Sequence, residues 1–152
     1  MKTLVVANQK GGVGKTSTLV HLAFDFLERG LKVVVIDLDT QANASYTLQS
    51  FRSGLVASEL FARVPSGAWP QTAVDFTDPN AQRMTLIGSD IGLANLEKKM
   101  SLAEAGSKFR EAIKTLEGQG FDVCLIDTAP SLGVTMAAAL LAADYVLSPI
   151  EL

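Results

Sequence analysis

Apolar residues along this chain gather in short runs without alternation, and the runs are separated by longer segments with helical spacing. The runs are rich in Val, Ile and Leu, and they lie at 3–8, 32–37, 84–88, 121–126 and 144–149. Such runs are typical of strands that are buried on both faces of a parallel sheet. Their alternation with helical segments predicts an α/β fold, with a mostly parallel, doubly wound sheet of about five strands and helices on both faces.

Two of the intervening segments predict long helices with recognisable ends. The first extends from about residue 16 to residue 29, and Gly30 provides a C-terminal stop. The second begins at Ser101, where Ser101 and Glu104 form a capping-box pair, and it continues to about residue 116.

Other segments predict shorter elements. Short helices are expected near 55–63, 90–99 and 131–142. Residues 64–83 contain three prolines and a glycine, and they predict an irregular surface excursion.

Length and composition narrow the class of protein. The 152 residues suit a single domain over 1–152, and a hydrophobic fraction of 48% is enough for a core. The net charge of −3 gives no global electrostatic argument for binding nucleic acid. We expect no signal peptide, because the start of the chain runs straight into a strand and has no cleavage-site pattern. We also expect no membrane insertion, because no apolar stretch is long enough to span a bilayer. The single cysteine, Cys124, lies in a predicted strand and cannot form an internal disulfide, so the expected location is cytoplasmic.

A glycine-rich segment joins the first predicted strand to the first predicted helix. It reads Lys10-Gly11-Gly12-Val13-Gly14-Lys15-Thr16. Glycines let the backbone approach a polyphosphate, and successive N–H groups at a helix N-terminus converge on its oxygens. Lys15 would neutralise the terminal phosphates, the Thr16 hydroxyl would bind magnesium, and Ser17 and Thr18 would donate to the inner phosphates. The sequence therefore predicts a phosphate-binding loop.

Aspartates follow two of the predicted strands. Asp37 is the last residue of the second predicted strand, and Asp39 follows two residues later. Asp127 directly follows the apolar run 121–126. In parallel sheets the carboxyl ends of the strands face the ligand crevice, where a fixed carboxylate can anchor hydrated magnesium. The alternative interpretations are a loop cap for Asp37 or Asp39 and a surface turn for Asp127.

The loop differs from the general phosphate-loop pattern in two respects: Gln9 stands where glycine is usual, and Lys10 is an additional lysine. In this it resembles the deviant Walker A motif of the ParA/MinD ATPases. The resemblance implies that Lys10 reaches across an ATP-dependent homodimer to the nucleotide of the partner subunit. It also implies the ligands ATP and Mg²⁺.

The aspartate segments resemble the two switches of the same family. Residues 37–41 resemble its D-x-D-P-Q segment, with Thr40 in the place of proline, and 127–131 resemble D-x-x-P-S. The resemblance implies that Asp39 orients or activates water, that Asp37 helps to hold magnesium through a water molecule, and that Asp127 supports the metal.

Within the family the chain is most similar to ParA-type ATPases that partition plasmids or chromosomes, through Gln41-Ala42-Asn43 and the run 130–133. This implies an ATPase that is weak alone, is stimulated by a centromere-binding ParB-type protein, and binds DNA nonspecifically. The resemblance covers the N-terminal part of that fold. A natural short form, a truncated gene and a cut piece of the protein stay open.

Three alternative hypotheses differ in the residues that they require. A MinD-like membrane-cycling regulator would carry a basic amphipathic helix at its C-terminus, which this sequence lacks. A nitrogenase-reductase-like enzyme needs two cluster cysteines per subunit, and one cysteine excludes it. A truncated domain that binds nucleotide without efficient hydrolysis stays open, and measuring binding beside turnover separates it from the ATPase.

Overall fold

The structure, a computed structural model, describes residues 1–7, 15–62, 83–130 and 133–148. These residues contain one six-stranded parallel sheet with the strand order β3-β4-β2-β5-β1-β6. Its strands are β1 (Lys2–Val6), β2 (Val33–Leu38), β3 (Arg52–Val56), β4 (Met84–Gly88), β5 (Val123–Thr128) and β6 (Tyr145–Leu147). The parallel sheet is confirmed, with one strand more than the five predicted. Nearly all of the predicted surface excursion lies outside the described residues.

Five α-helices lie in the same described ranges: α1 (Lys15–Glu28), α2 (Asn43–Thr47), α3 (Leu96–Lys99), α4 (Leu102–Gly118) and α5 (Val134–Ala142). The predicted C-terminal end of α1 and the predicted N-terminal end of α4 are both confirmed. The chain leaves α1 through Gly30, whose φ of 82° is the left-handed conformation that glycine adopts without strain. The Ser101 side chain caps α4 by accepting the N–H of Glu104 at 3.2 Å. None of these helices is long and apolar enough to cross a bilayer.

The helix predicted near 55–63 is wrong in its first part, where the structure has the edge strand β3 and then a 3₁₀ helix over Ala57–Phe61. Gly54 has a φ of 89°, and the pairing register with β4 shifts between Arg52 and Val56. Pairing with β4 therefore overrides the local helical spacing, through a bulge that glycine permits. The helix near 90–99 consists of a 3₁₀ turn, Ile91–Asn95, followed by α3. The short α2 and the 3₁₀ turn Gln49–Phe51 had no prediction.

Two apolar layers cover the sheet, one on each face. Alternate residues of β2 supply them: Val33 and Val35 pack with α1, whereas Val34 and Ile36 belong to the layer that includes α4 and α5. We call these the α1 face and the α4 face. Helices on both faces confirm the doubly wound arrangement, and it leaves the carboxyl ends of the central strands as the edge toward which the predicted site residues point.

Candidate functional site

The candidate site begins with two aspartates on neighbouring central strands. Asp37 of β2 and Asp127 of β5 are direct register partners at the carboxyl ends of their strands. They alternate with Val35 and Leu125, which pack on the α1 face, so both carboxylates lie on that face. Both are fully buried. Asp39, one residue beyond the end of β2, completes the acidic group and is 5% exposed.

Lys15, the first residue of α1, points into this acidic group. Its side chain is 1% exposed, and its ammonium lies 3.3 Å from Asp39 Oδ2 and donates hydrogen bonds to Asp127 Oδ1 and to the Thr128 carbonyl oxygen. A buried ammonium is tolerated only when its charge and its donors are matched in this way. Residues that the sequence predicts in three separate segments therefore meet at one point.

Thr16 adds a hydroxyl beside the same carboxylate. Its Oγ1 donates to Asp127 Oδ2 at 3.3 Å, so Asp127 faces Lys15 with one oxygen and Thr16 with the other. Burial raises the pKa of Asp127 to about 6, although the neighbouring Lys15 ammonium opposes the rise. Hydroxyl and carboxylate oxygens are the hard ligands that magnesium prefers, so the donor chemistry of Thr16 and Asp127 fits that ion.

Asp37 uses both of its oxygens within the protein. Oδ1 accepts the Asp39 N–H at 3.0 Å, and Oδ2 accepts the N–H and the hydroxyl of Ser45 at 2.8 and 2.6 Å. Burial raises the pKa of Asp37, while the hydrogen bonds from Ser45 and Asp39 oppose this rise. The structure thus gives Asp37 the role of organising the loop that follows β2. Its contact with magnesium through a water molecule stays a prediction.

The loop after β2 is a tight turn that delivers Asp39 to Lys15. Asp39 Oδ1 accepts the Gln41 N–H at 3.0 Å, and the Asp39 carbonyl accepts the Ala42 N–H at 2.9 Å. Ala42 has a φ of 59°, a left-handed conformation that is uncommon for alanine, and α2 begins at the next residue. With Oδ1 held inside the turn, Oδ2 is the oxygen directed at Lys15.

Two further residues of the site, both serines, are not selected by any pattern in the sequence. The Ser45 hydroxyl accepts the Ser89 N–H at 2.8 Å, and the Ser89 hydroxyl donates to the Asp39 carbonyl at 2.7 Å. Ser45 lies on α2 and Ser89 directly follows β4, 44 residues later in the chain. Only the folded sheet brings them together, so local sequence offers no signal for Ser89.

Part of the predicted loop lies outside the described residues, namely Lys10, Gly11, Gly12, Val13 and Gly14. Their roles as a phosphate cradle and, for Lys10, as a group that acts in a partner subunit stay predictions. Ser17 and Thr18 lie in the first turn of α1, exposed and half-buried respectively. Their contacts with inner phosphates also stay predictions.

Comparison with protein families places the whole chain in one group. A family model described as an AAA domain matches residues 1–152. Protein IncC of Escherichia coli is 67% identical over 152 residues, which are 100% of this chain and 42% of that protein. The chromosome partitioning protein ParA of Caulobacter vibrioides is 31% identical over 153 residues, which are 99% of this chain and 56% of that protein. The chain thus spans about half the length of these relatives.

A solved structure has the same fold and was crystallised with ligands of the expected kind. Cobyrinic acid a,c-diamide synthase from Mycobacterium smegmatis, crystallised with a bound ATP analogue and magnesium, superposes with a TM-score of 0.76 at 32% identity. The match covers 99% of this chain and 60% of the synthase chain. One of these proteins is a synthase and the other a chromosome partitioning protein. Similarity to both therefore does not by itself assign one biological role to this chain.

Proposed function

The chain belongs to the AAA domain family and, within it, to the ParA/MinD ATPases, and from this membership we propose that it is a magnesium-dependent ATPase that acts as a switch in DNA partitioning. The observation that carries the proposal is the meeting of Lys15, Asp39 and Asp127 where α1 begins and β2 and β5 end. A cation at a helix N-terminus beside magnesium-type ligands is the arrangement that binds a nucleoside triphosphate.

Each residue has a defined task in the proposed site. The backbone amides of residues 11–16 would surround the phosphates, and Lys15 would neutralise the terminal phosphate. Thr16 and Asp127 would hold magnesium, with Asp37 contributing through a water molecule. Bound magnesium supplies positive charge that stabilises the transferring phosphoryl group. Asp39 orients the attacking water.

Binding of ATP requires a rearrangement of the buried ion pairs. The Lys15 ammonium is held by Asp39, Asp127 and the Thr128 carbonyl. For Lys15 to reach a phosphate, these contacts must loosen, and the phosphate then replaces the carboxylates as its counter-ion. The oxygens of Asp39 and Asp127 would then be available to water and to magnesium.

Hydrolysis in this proposal needs two copies of the chain. Lys10 of one subunit would complete the site of the other in an ATP-dependent homodimer. An additional cation at the transferring phosphoryl group contributes about 10³-fold or more in rate in comparable enzymes. The same proposal includes slow turnover by the protein alone and stimulation by a ParB-type centromere-binding protein. It also includes nonspecific binding to DNA and a cytoplasmic, nucleoid-associated location.

The nucleotide site is tested by substituting Lys15 in the full-length protein. We expect Lys15→Ala to abolish binding of ATP with magnesium in calorimetry, because the remaining groups around the phosphates include two uncompensated carboxylates. Lys98→Ala, which removes an exposed lysine on α3, is the matched control and should bind as the unsubstituted protein does. Tight ATP binding by Lys15→Ala would refute the assignment.

The role of Lys10 is tested by mixing two inactive variants. Lys10→Ala should lose most turnover while keeping substantial ATP affinity, and Asp39→Ala should lose turnover as well. If Lys10 acts across the dimer, a mixed dimer regains one complete site, with Asp39 from one subunit and Lys10 from the other. If the mixture stays inactive although mixed dimers form, Lys10 does not act across the dimer.

The same measurements separate the switch from a domain that only binds nucleotide, since such a domain would show calorimetric binding without turnover in the unsubstituted protein. The partitioning role needs its own test in cells. We expect the Lys15→Ala variant to cause loss of the replicon that carries the gene, measured as the fraction of daughter cells without it. Stable inheritance in that variant would exclude the role.

A further inference from the structure

A closed ring of hydrogen bonds surrounds the main chain of Asp39. The Asp39 N–H donates to Asp37 Oδ1 at 3.0 Å, and the Ser45 hydroxyl donates to Asp37 Oδ2 at 2.6 Å. The Ser89 N–H donates to the Ser45 hydroxyl at 2.8 Å, and the Ser89 hydroxyl donates to the Asp39 carbonyl at 2.7 Å. The ring therefore returns to the residue at which it starts.

Each serine of the ring donates its hydroxyl proton within the ring. A serine hydroxyl has one proton to donate, and Ser45 gives it to Asp37 while accepting from Ser89. Asp37 and Ser45 are fully buried, and Asp39 is 5% exposed, so water does not compete well for these groups. In such a low-dielectric setting linked hydrogen bonds reinforce one another, so removing one weakens the others.

The ring joins three elements that lie apart along the chain. Asp37 ends β2, Ser45 lies on the short α2, and Ser89 follows β4. Asp39 is held by both its N–H and its C=O, which fixes the position of its Cα. Its carboxylate is fixed in turn, because Oδ1 accepts the Gln41 N–H and Oδ2 faces Lys15.

We propose that Ser45 and Ser89 are positioning residues for ATP hydrolysis, which hold the main chain of Asp39 so that its carboxylate meets the attacking water. The inference rests on the proposed function, in which Asp39 orients that water. Ser89 makes the sharper test of the two, because it is half-buried and its hydroxyl bonds directly to Asp39.

The test is Ser89→Ala in the full-length protein. Loss of the hydroxyl frees the Asp39 carbonyl on the β4 side, and a misplacement of a catalytic group by about 1 Å lowers rates by on the order of 10- to 100-fold. We expect kcat to fall by about tenfold or more, whereas the Kd for a non-hydrolysable ATP analogue and the Tm stay near those of the unsubstituted protein. Ser89→Thr, which keeps a hydroxyl, should restore most of kcat.

Ser58→Ala is the matched control. Ser58 is also half-buried and donates its hydroxyl to Asp90, the residue next to Ser89, but it has no bond to the ring. The kcat of Ser58→Ala should equal that of the unsubstituted protein. Equal turnover of Ser89→Ala and Ser58→Ala would overturn the inference, and so would a kcat loss that Ser89→Thr fails to restore.

Amide hydrogen exchange tests the ring without using turnover. Ser89→Ala should speed exchange of the Gln41 and Ala42 amides, which bond to Asp39, and Ser58→Ala should not. Unchanged exchange in Ser89→Ala would overturn the inference. If the unsubstituted protein shows no hydrolysis while exchange responds as expected, the positioning of Asp39 stands and it is the proposed ATPase activity that fails.

Discussion

The two faces of the sheet are built from the same strands but differ in what they bury. On the α4 face the core is apolar and includes a stacked aromatic pair, Phe61 and Phe109, with ring centroids 5.0 Å apart. On the α1 face the apolar layer ends in a buried ionic group that contains Lys15, Asp37 and Asp127. In the described part of the chain, the buried polar side chains that alternate onto the α4 face are uncharged threonines, such as Thr85 and Thr128.

Strand β5 shows the difference within six residues. Cys124 and Ile126 point into the apolar α4 face, where burial raises the pKa of the Cys124 thiol and keeps it neutral. Asp127, the next residue, points to the α1 face and carries the site. Burial of apolar groups stabilises the fold, whereas burial of charges opposes it unless each is matched. The apolar core of the α4 face therefore stabilises the fold, whereas the buried charges of the α1 face oppose folding and form the candidate site.

The largest expected effect lies on the α4 face. Phe109→Ala removes one ring of the stacked pair from a fully buried position on α4, and such a change lowers the free energy of unfolding by about 3–5 kcal/mol. Urea unfolding measures this loss. Protein that remains folded should bind ATP with unchanged affinity, because Phe109 contacts the layer opposite the site. A large loss of ATP affinity with little loss of stability would contradict the division between the faces.

On both faces, the elements whose signal lies between chain neighbours were the easier ones to predict from sequence. The long apolar runs, the Gly30 stop of α1 and the Ser101 cap of α4 depend on such neighbours, and all gave correct elements. The edge strand β3 did not, because Gly54 and the polar ends of the strand carry little strand signal. Its pairing with β4 is a tertiary contact that overrides local preference.

The second-largest expected effect concerns the α1 face and depends on pH. The pKa of Asp127 is raised from 3.8 to about 6 by burial, so the folded chain holds a proton more tightly than the unfolded chain. The stability that this contributes is full below about pH 3.8 and is lost as the pH rises through about 6. The total is on the order of 3 kcal/mol, since one pKa unit corresponds to about 1.4 kcal/mol.

Asp127→Asn removes this titration and keeps a similar shape. Between about pH 4.5 and pH 7.5 the free energy of unfolding of the unsubstituted protein should fall relative to Asp127→Asn by about 2 kcal/mol. Urea unfolding of both proteins at several pH values, without nucleotide, measures the difference. Phe109→Tyr, on the opposite face, should show no such pH-dependent difference from the unsubstituted protein over this range. A constant gap between Asp127→Asn and the unsubstituted protein would show that Asp127 is not the titrating group.

Much of the candidate site could be selected from sequence because its residues lie at ends of strongly patterned elements. Lys15, Thr16 and Asp127 stand where a helix begins or a strand ends, and the structure brings these three together. The sequence could not show that Asp37 spends both oxygens on the following loop. It also could not identify Ser89, since the partner of Ser89 is a main-chain carbonyl that lies 50 residues earlier.

The smallest effect concerns the turn that carries Asp39. Ala42 has a φ of 59°, a conformation that disfavours a side-chain-bearing residue by about 1–2 kcal/mol, whereas glycine adopts it freely. Glycine also makes the unfolded chain more flexible, which offsets roughly 0.4–1 kcal/mol of that gain. We therefore expect Ala42→Gly to raise the free energy of unfolding by about 0–1.6 kcal/mol. The turn that carries Asp39 thus stores strain in its backbone at Ala42.

Ala103→Gly is the control of opposite sign, because Ala103 is exposed in α4, where glycine is unfavourable by roughly 0.5–1 kcal/mol. Urea unfolding of both variants gives the comparison, and a lower turnover of Ala42→Gly would indicate that the strained turn helps to hold Asp39. If both substitutions destabilise the protein equally, Ala42 is not strained in solution. The α1 face would then oppose folding only through its buried charges.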